Sequence, residues 1–275
     1  FDALAARDAL TPALLRDLAD TVAEFHASAE PIVAPGAHGG GAAGMRWVID
    51  DNFAEMGERP ELFPQPELSS LAQASRGALA ALAPLLDRRL AEGLVRRCHG
   101  DLHLRNICRI DARPAPFDCI EFNDRLSVID LVYDLAFLLM DLEQRGLRPA
   151  ANLVLTRYLR RRDDLEALAA LPLFLSARAL VRAKVAATAE RVTAEPQACA
   201  RLRIEAAEYF RLAARYLGAG RPQLVAIGGL SGTGKSALAQ RLAPGIGRSP
   251  GALVIRSDVE RKALFGFDEN ERLPA

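Results

Sequence analysis

Aromatic residues are scarce in this sequence: one Trp, four Tyr and eleven Phe make up 6% of 275 residues, whereas Ala, Leu and Arg abound. A sheet-dominated fold is therefore disfavoured and helix is expected to prevail. Charge of one sign is also missing, since 35 basic residues balance 35 acidic ones, and nothing overall draws the chain to nucleic acid or anionic lipid. Cysteine is limited to Cys98, Cys108, Cys119 and Cys199, without a Cys-x-x-Cys pair or a His at ligand spacing. That excludes a disulfide scaffold and a zinc ribbon and fits thiols in a reducing, cytoplasmic compartment. No long hydrophobic run occurs either: the longest, Leu131 to Met140, is interrupted by Asp134 and falls far short of the ~20 residues a membrane span needs. What is present, half hydrophobic and a quarter charged residues, suits a buried core in one or two domains.

The pattern along the chain is mostly helical. Thr11-Pro12 followed by Leu14, Leu15, Leu18, Val22 and Phe25 predicts a capped helix to about Ser28. Glu30 to Gly44, rich in Pro and Gly, reads as a loop, and Arg46–Met56 and Glu67–Leu90 as helices. Gly39-Gly-Gly41-Ala-Ala-Gly44 formally matches Gly-x-Gly-x-x-Gly, but no strand precedes it and no Val-Ala-Ile-Lys-like strand follows, so a flexible loop is expected. Short strands are predicted at Leu94–Cys98, Asn106–Ile110 and Pro116–Phe122, separated by a turn at Asp111–Pro114. Ser127 to Leu217 reads as helix with breaks near Gly146–Pro149, Pro172 and Glu195-Pro196. Gly218 to Pro222 suits a linker between a unit at 1–217 and a second at 223–275.

The second unit carries Gly229-Leu230-Ser231-Gly232-Thr233-Gly234-Lys235-Ser236, which satisfies the P-loop pattern Gly-x-x-x-x-Gly-Lys-Ser/Thr. Flanking segments predict the required context, a strand at Gln223–Ile227 and a helix at Lys235–Leu242, with a second strand at Ala252–Ile255. Such a loop turns backbone N–H groups toward phosphate, Lys235 would neutralise the β/γ-phosphates, and Ser236 offers a hydroxyl to Mg²⁺. Asp258 suits either a base for an acceptor hydroxyl or an N-cap of the helix Val259–Leu264. Here the sequence resembles small-molecule kinases of the P-loop class, over Gln223 to Phe267 only.

The first unit carries His99-Gly-Asp101-Leu-His103-Leu-Arg-Asn106, with Asp118 and Glu121 after the third predicted strand. The arrangement parallels a kinase catalytic loop and metal-binding strand: Asp101 can reach an acceptor hydroxyl, and Asn106, five residues on, can hold Mg²⁺. Glu121 completes the metal site, with Asp118 a rival ligand of equally hard oxygen. His99 reads as a packing and backbone-bonding residue and His26 as structural, while His103 is open between placing the acceptor and a surface role. Asp134 is expected to brace the helix behind the site. Arg178, Arg182 and Lys184 are expected on a solvated helix face.

With Cys119-Ile-Glu-Phe-Asn123 and Ile129-Asp-Leu-Val-Tyr-Asp-Leu-Ala-Phe137, this segment resembles the aminoglycoside phosphotransferase family, in which His-Gly-Asp-x-His-x-x-Asn is followed by Ile-Asp-Phe/Trp and Asp-x-x-x-Asp-Leu-Ala. The resemblance implies ATP- and Mg²⁺-dependent transfer of phosphate to a hydroxyl of a small molecule. It assigns Asp101 the catalytic role, Asn106 and Glu121 the metal, and Asp130 and Asp134 the helix opening. Both segments together resemble bacterial fused phosphotransferase and ATP-binding proteins. The implied fold is mixed α/β and helix-dominated: a kinase-like C-terminal lobe followed by the start of a parallel P-loop NTPase domain. No strand-rich lobe with a phosphate-pairing Lys is legible in residues 1–90, so the resemblance also implies an internal fragment. A reading from another class is a nucleotide-sensing module whose kinase-like part binds without turnover.

Overall fold

The structure, a computed structural model, describes all residues except 35, 37, 219, 221, 268–270 and 272–275. After a short helix α1 (Asp2–Ala6), α2 (Pro12–Ser28) begins as expected, with Thr11 accepting from the Leu14 amide and Pro12 in the first turn. It buries Leu15, Leu18, Ala19, Val22 and His26. Strand β1 (Pro31–Ile32) follows, and helix α3 (Gly41–Gly57) starts inside the stretch expected to be a flexible loop. Packing explains the difference: a Cβ on Gly44 would lie 2.2 Å from the Gly39 carbonyl carbon, so only glycine lets the chain fold back this closely. The Ala42 amide, one of the first-turn donors, is satisfied by Asp87 Oδ1 at 2.8 Å.

Helix α4 (Gln65–Ala91) leads to β2 (Val95–Arg97), then β3 (Ile107–Ile110) and β4 (Arg113–Pro116). The β3–β4 hairpin turns at Asp111 and Ala112, both with positive φ (48° and 67°), the conformation of a two-residue type I′ connection. The strand expected at Pro116–Phe122 thus lies earlier, at Arg113–Pro116, and the turn is two residues rather than four. Helix α5 (Asp124–Ser127) precedes β5 (Val128–Asp130), which pairs antiparallel with β2, opposite β1. Strand β5 was expected to be helix; three residues next to a helix start carry no period of their own, and only the partner strand makes them a strand.

Four further long helices complete the core begun by α2, α3 and α4: α6 (Leu131–Gln144), α7 (Arg148–Arg162), α8 (Leu171–Val192) and α9 (Pro196–Leu217). The expected breaks are helix starts, with Pro149, Pro172 and Pro196 in first turns where a missing N–H is no loss. Every residue of α6 from Leu131 to Leu142 is buried, as befits a helix that packs on both α7 and α8. Arg89, itself buried, clamps the start of α6 by forked hydrogen bonds to Asp130 and Asp164 of 2.7–3.0 Å. Asp130 in turn caps α6 by accepting from the Val132 amide. No described helix is long and apolar enough to cross a membrane.

Beyond α9 the structure forms α10 (Lys235–Leu242) and α11 (Ser257–Leu264). The strands expected at Gln223–Ile227 and Ala252–Ile255 are not formed among the described residues. An apolar run becomes a strand only by pairing, and Leu224 stands 98% exposed with no ladder partner. Residues 250–252 lean instead on α7: Asn152 Nδ2 donates to the Ala252 carbonyl at 2.9 Å and Arg148 Nε to that of Pro250. Positions 219 and 221 of the expected linker, and most of the tail after Phe267, lie outside the described residues.

Candidate active site

The segment from His99 to Asn106 leaves β2 and crosses α6. Gly100 has φ +82°, and a Cβ there would meet the Leu126 carbonyl oxygen at 2.7 Å, so the loop requires glycine. This conformation turns the successive amides of His99 and Gly100 to the Asp134 carboxylate, at 3.2 and 2.9 Å. Asp141, two helical turns further along the same face of α6, accepts from the Leu104 amide at 3.0 Å. One helix therefore fastens both ends of the loop.

Asp134 is fully buried and does more than brace its own helix. His26 Nε2 donates to it at 3.1 Å while His26 Nδ1 meets the Tyr158 hydroxyl at 2.7 Å, and Arg178 stands 3.7 Å away. Burial by itself would raise the Asp134 carboxyl, but the His26 hydrogen bond and the charges of His26 and Arg178 hold it below the usual carboxylate range. Arg178 donates to the carbonyls of Gly100 and Tyr133 at 3.0 and 3.1 Å and lies over the Tyr133 ring, 3.9 Å from its centroid. The solvated face expected for Arg178, Arg182 and Lys184 is thus not found. Arg178 is buried, Arg182 donates to Glu205, and Lys184 to Asp51 and Glu55. Their wall of α8 is covered by the loop, α9 and α3, which no period within α8 announces.

Asp101 and Asn106 are brought together as their spacing predicts. The Asn106 side-chain amide donates to Asp101 Oδ2 at 2.9 Å and to the Asp101 carbonyl at 3.1 Å, which leaves Asn106 Oδ1 free of that interaction. His103 Nε2 lies 3.3 Å from the same carboxylate, a placement in the site rather than on the surface. Burial acts to raise the Asp101 carboxyl; the His103 hydrogen bond, the charges of His103 and Arg178 and the Asn106 bond outweigh it and lower the value. Asp101 is accordingly an ionised, partly exposed acceptor at neutral pH. His99 keeps the packing role expected of it: Nδ1 accepts from the Asp101 amide and Nε2 donates to the Phe117 carbonyl at 2.8 Å.

Asp118 and Glu121 follow β4 on a segment laid beside the loop, since the Ile120 amide donates to the His99 carbonyl and the Phe117 amide to that of Asn106. Both carboxylates are exposed, neither has an ion-pair partner among the described residues, and Asp118 has φ +61°. Cys119 Sγ lies 3.7 Å from Glu121 Oε1.

The glycine-rich loop is built differently. Gly229, Gly232 and Gly234 all have positive φ (150°, 79° and 85°), and Gly234 is the residue before the first turn of α10. Leu230, Ser231 and Thr233 are exposed; Thr233 Oγ1 and Lys235 Nζ both donate to the Leu230 carbonyl, at 2.8 and 2.6 Å. Lys235, Ser236 and Asp258 line one cavity of about 440 Å³. Asp258 is not the N-cap of α11: Arg256 holds that position and takes the Asp258 carboxylate at 2.6 Å.

Sequence reasoning missed Asp141 and the inward role of Arg178. A legible signal existed for the first, because Asp134 and Asp141 are seven apart in an otherwise apolar helix and so share one face.

The loop, α6 and α7 fall within residues 2–171, which match the profile of the Phosphotransferase enzyme family. Similar curated proteins are the uncharacterized proteins Rv2004c and MT2060 of Mycobacterium tuberculosis and Mb2027c of Mycobacterium bovis. Each is 30% identical over 249 residues, 90% of this chain and 48% of the relative, so the chain spans about half the length of the curated relatives it matches. No solved structure matches the chain. A match over more than half its length, which includes a loop whose Asp and Asn are hydrogen-bonded to one another, means that the chain belongs to the phosphotransferase enzyme family.

Proposed function

We propose that the protein transfers phosphate from ATP, with Mg²⁺, to a hydroxyl of a small molecule, and that residues 223–275 belong to a P-loop ATP-binding unit fused to the phosphotransferase unit at 1–217 through a linker at 218–222. The observation that carries the reading is the Asp101–Asn106 pair at 2.9 Å, in a loop anchored at both ends by α6. Asp101, ionised and partly exposed, accepts the hydrogen of the acceptor hydroxyl and orients its oxygen. Arg178 and Asp134 hold the loop in that geometry.

Asn106 Oδ1 and the exposed carboxylates of Glu121 and Asp118 are hard oxygens of the kind Mg²⁺ takes, and the structure does not gather Asp101, Asp118 and Glu121 within 4.8 Å of one another. Mg²⁺ bound there would offset the negative charge of the phosphates. Glu121 is the ligand suggested by motif position, with Asp118 its rival. At the second site Gly229, Leu230, Ser231, Gly232, Thr233, Gly234 and Lys235 would hold a nucleotide, Ser236 would offer its hydroxyl to Mg²⁺, and Asp258 would serve a second acceptor.

The test is ATP consumption, with Mg²⁺ and a panel of hydroxylated small molecules, by the full-length protein and its Asp101→Ala variant. Acceptor-dependent consumption lost in the variant supports the reading. Equal rates remove Asp101 from the chemistry, and nucleotide binding without turnover makes the protein a sensing module.

A further inference from the structure

A cavity of about 360 Å³ opens beside the catalytic loop, between α6, α8 and α9. His103 forms the wall nearest Asp101, through the 3.3 Å approach of its Nε2 to the carboxylate, and its ring stands edge-on to Phe137, which also lines the cavity. His103 Nδ1 is buried and has no hydrogen-bond partner among the described residues. A pocket of this size, with aromatic walls and converging polar groups next to a reactive carboxylate, has the form of a small-molecule site.

Charge decides what fits. Four guanidinium groups line the cavity, those of Arg105, Arg145, Arg182 and Arg201. Two are committed: Arg182 bonds Glu205 at 2.9 Å and lies over Tyr209, and Arg145 bonds Asp141 and Asp2 at 3.1 and 2.7 Å. The other two are held loosely. Arg105 is 3.8 Å from Asp2 and Arg201 3.6 Å from Glu195, and both side chains are about two-thirds exposed. Among the lining acids Asp141 and Glu205 are taken by Arg145 and Arg182 and Glu208 has no ion-pair partner among the described residues, so the lining holds four arginines against three acids.

We infer that this cavity is the acceptor site and that the acceptor is a hydroxylated anion, a carboxylate or phosphate ester, whose charged end is held by Arg105 and Arg201. Guanidinium forks match the planar oxygens of either group. A polycationic amino sugar would meet a lining with four arginines against three acids and is disfavoured. The inference rests on the phosphotransferase reading for the identity of the site, but not for the charge of its ligand.

Binding and turnover separate the two. Isothermal titration of the full-length protein with gluconate and glycerate, with glucose 6-phosphate, with glucose and with kanamycin, followed by mass spectrometry for a phosphorylated product, reads both. Expected is binding of a carboxylate or the phosphate ester, weakened about tenfold by Arg105→Ala or Arg201→Ala, the scale of one charge-assisted hydrogen bond. The gluconate and glucose 6-phosphate arms tell which anion is preferred. No binding of any anion, glucose or kanamycin binding at least as tightly, or anion binding indifferent to both arginine substitutions overturns the inference. Anion binding that needs the arginines, with no phosphorylation of any acceptor, keeps the inference and sinks phosphotransfer. Phosphorylation of glucose or kanamycin without anion binding does the reverse.

Discussion

The loops His99–Asn106 and Gly229–Ser236 both lead toward acidic or hydroxyl groups suited to phosphate chemistry, yet they are held by opposite means. The first is nearly all side chain on backbone: Asp134, Asp141 and Arg178, from α6 and α8, fix its amides and a carbonyl from outside. The second fixes itself, through three positive-φ glycines and three bonds to its own Leu230 carbonyl. A buried clamp makes the geometry of the first loop inseparable from the stability of the whole helical unit. The self-contained turn of the second can be altered with little effect on that unit.

Four substitutions test this contrast. Asp134→Ala should have the largest effect, because it leaves His26 and Arg178 buried and two amides without an acceptor; breaking such a buried network costs about 3–5 kcal/mol, read from urea unfolding. An unchanged midpoint would show that the loop is not clamped through α6. Asp101→Asn should lower acceptor phosphorylation by roughly 10²–10⁴-fold while the unfolding midpoint stays near that of the parent, which separates chemistry from scaffold within one loop. Gly44→Ala should cost about 1–3 kcal/mol, as overpacking does, since its Cβ would press on Gly39. Lys235→Ala, in the self-contained loop, should change unfolding by no more than about 0.5 kcal/mol while removing nucleotide binding at that site. A large loss of stability there would make the two loops alike.

A smaller effect concerns acid. Asp20 on α2 is paired with Arg157 and Arg161 on α7, the same two helices that bring His26 to Tyr158. Burial would raise its carboxyl, but those two arginines lower it from 3.8 to about 2. A depressed value stabilises the fold above the ordinary pKa and is lost as pH falls from about 4 toward 2. Comparing unfolding of the parent and Asp20→Asn across that range should show a parent advantage of about 1 kcal/mol at neutral pH, modest because the pair is partly exposed, that vanishes at the acid end.

Legibility followed range along the chain. Thr11-Pro12, Pro149, Pro172 and Pro196 marked helix starts because proline acts through its own φ and missing N–H. The Asp101–Asn106 pair was readable because five residues of a single loop bring them together. Strand β5 and the absent strands near 223–227 and 252–255 were misread for one reason, that a strand is defined by its partner. Gly39–Gly44, taken for a flexible loop, turned out to be a close contact whose cause is spatial.

By itself, then, the sequence determined the helix-rich character, the residues of both loops and the placing of Asp101 beside Asn106, all of which depend on local dihedral preference and short separation. Only the tertiary structure decided that Asp134 and Asp141 grip the loop from behind, that Arg178 points inward, and that four arginines meet beside His103. Those outcomes depend on which helix faces pack together, and burial of one helix against another is a property of the pair, written in neither helix alone.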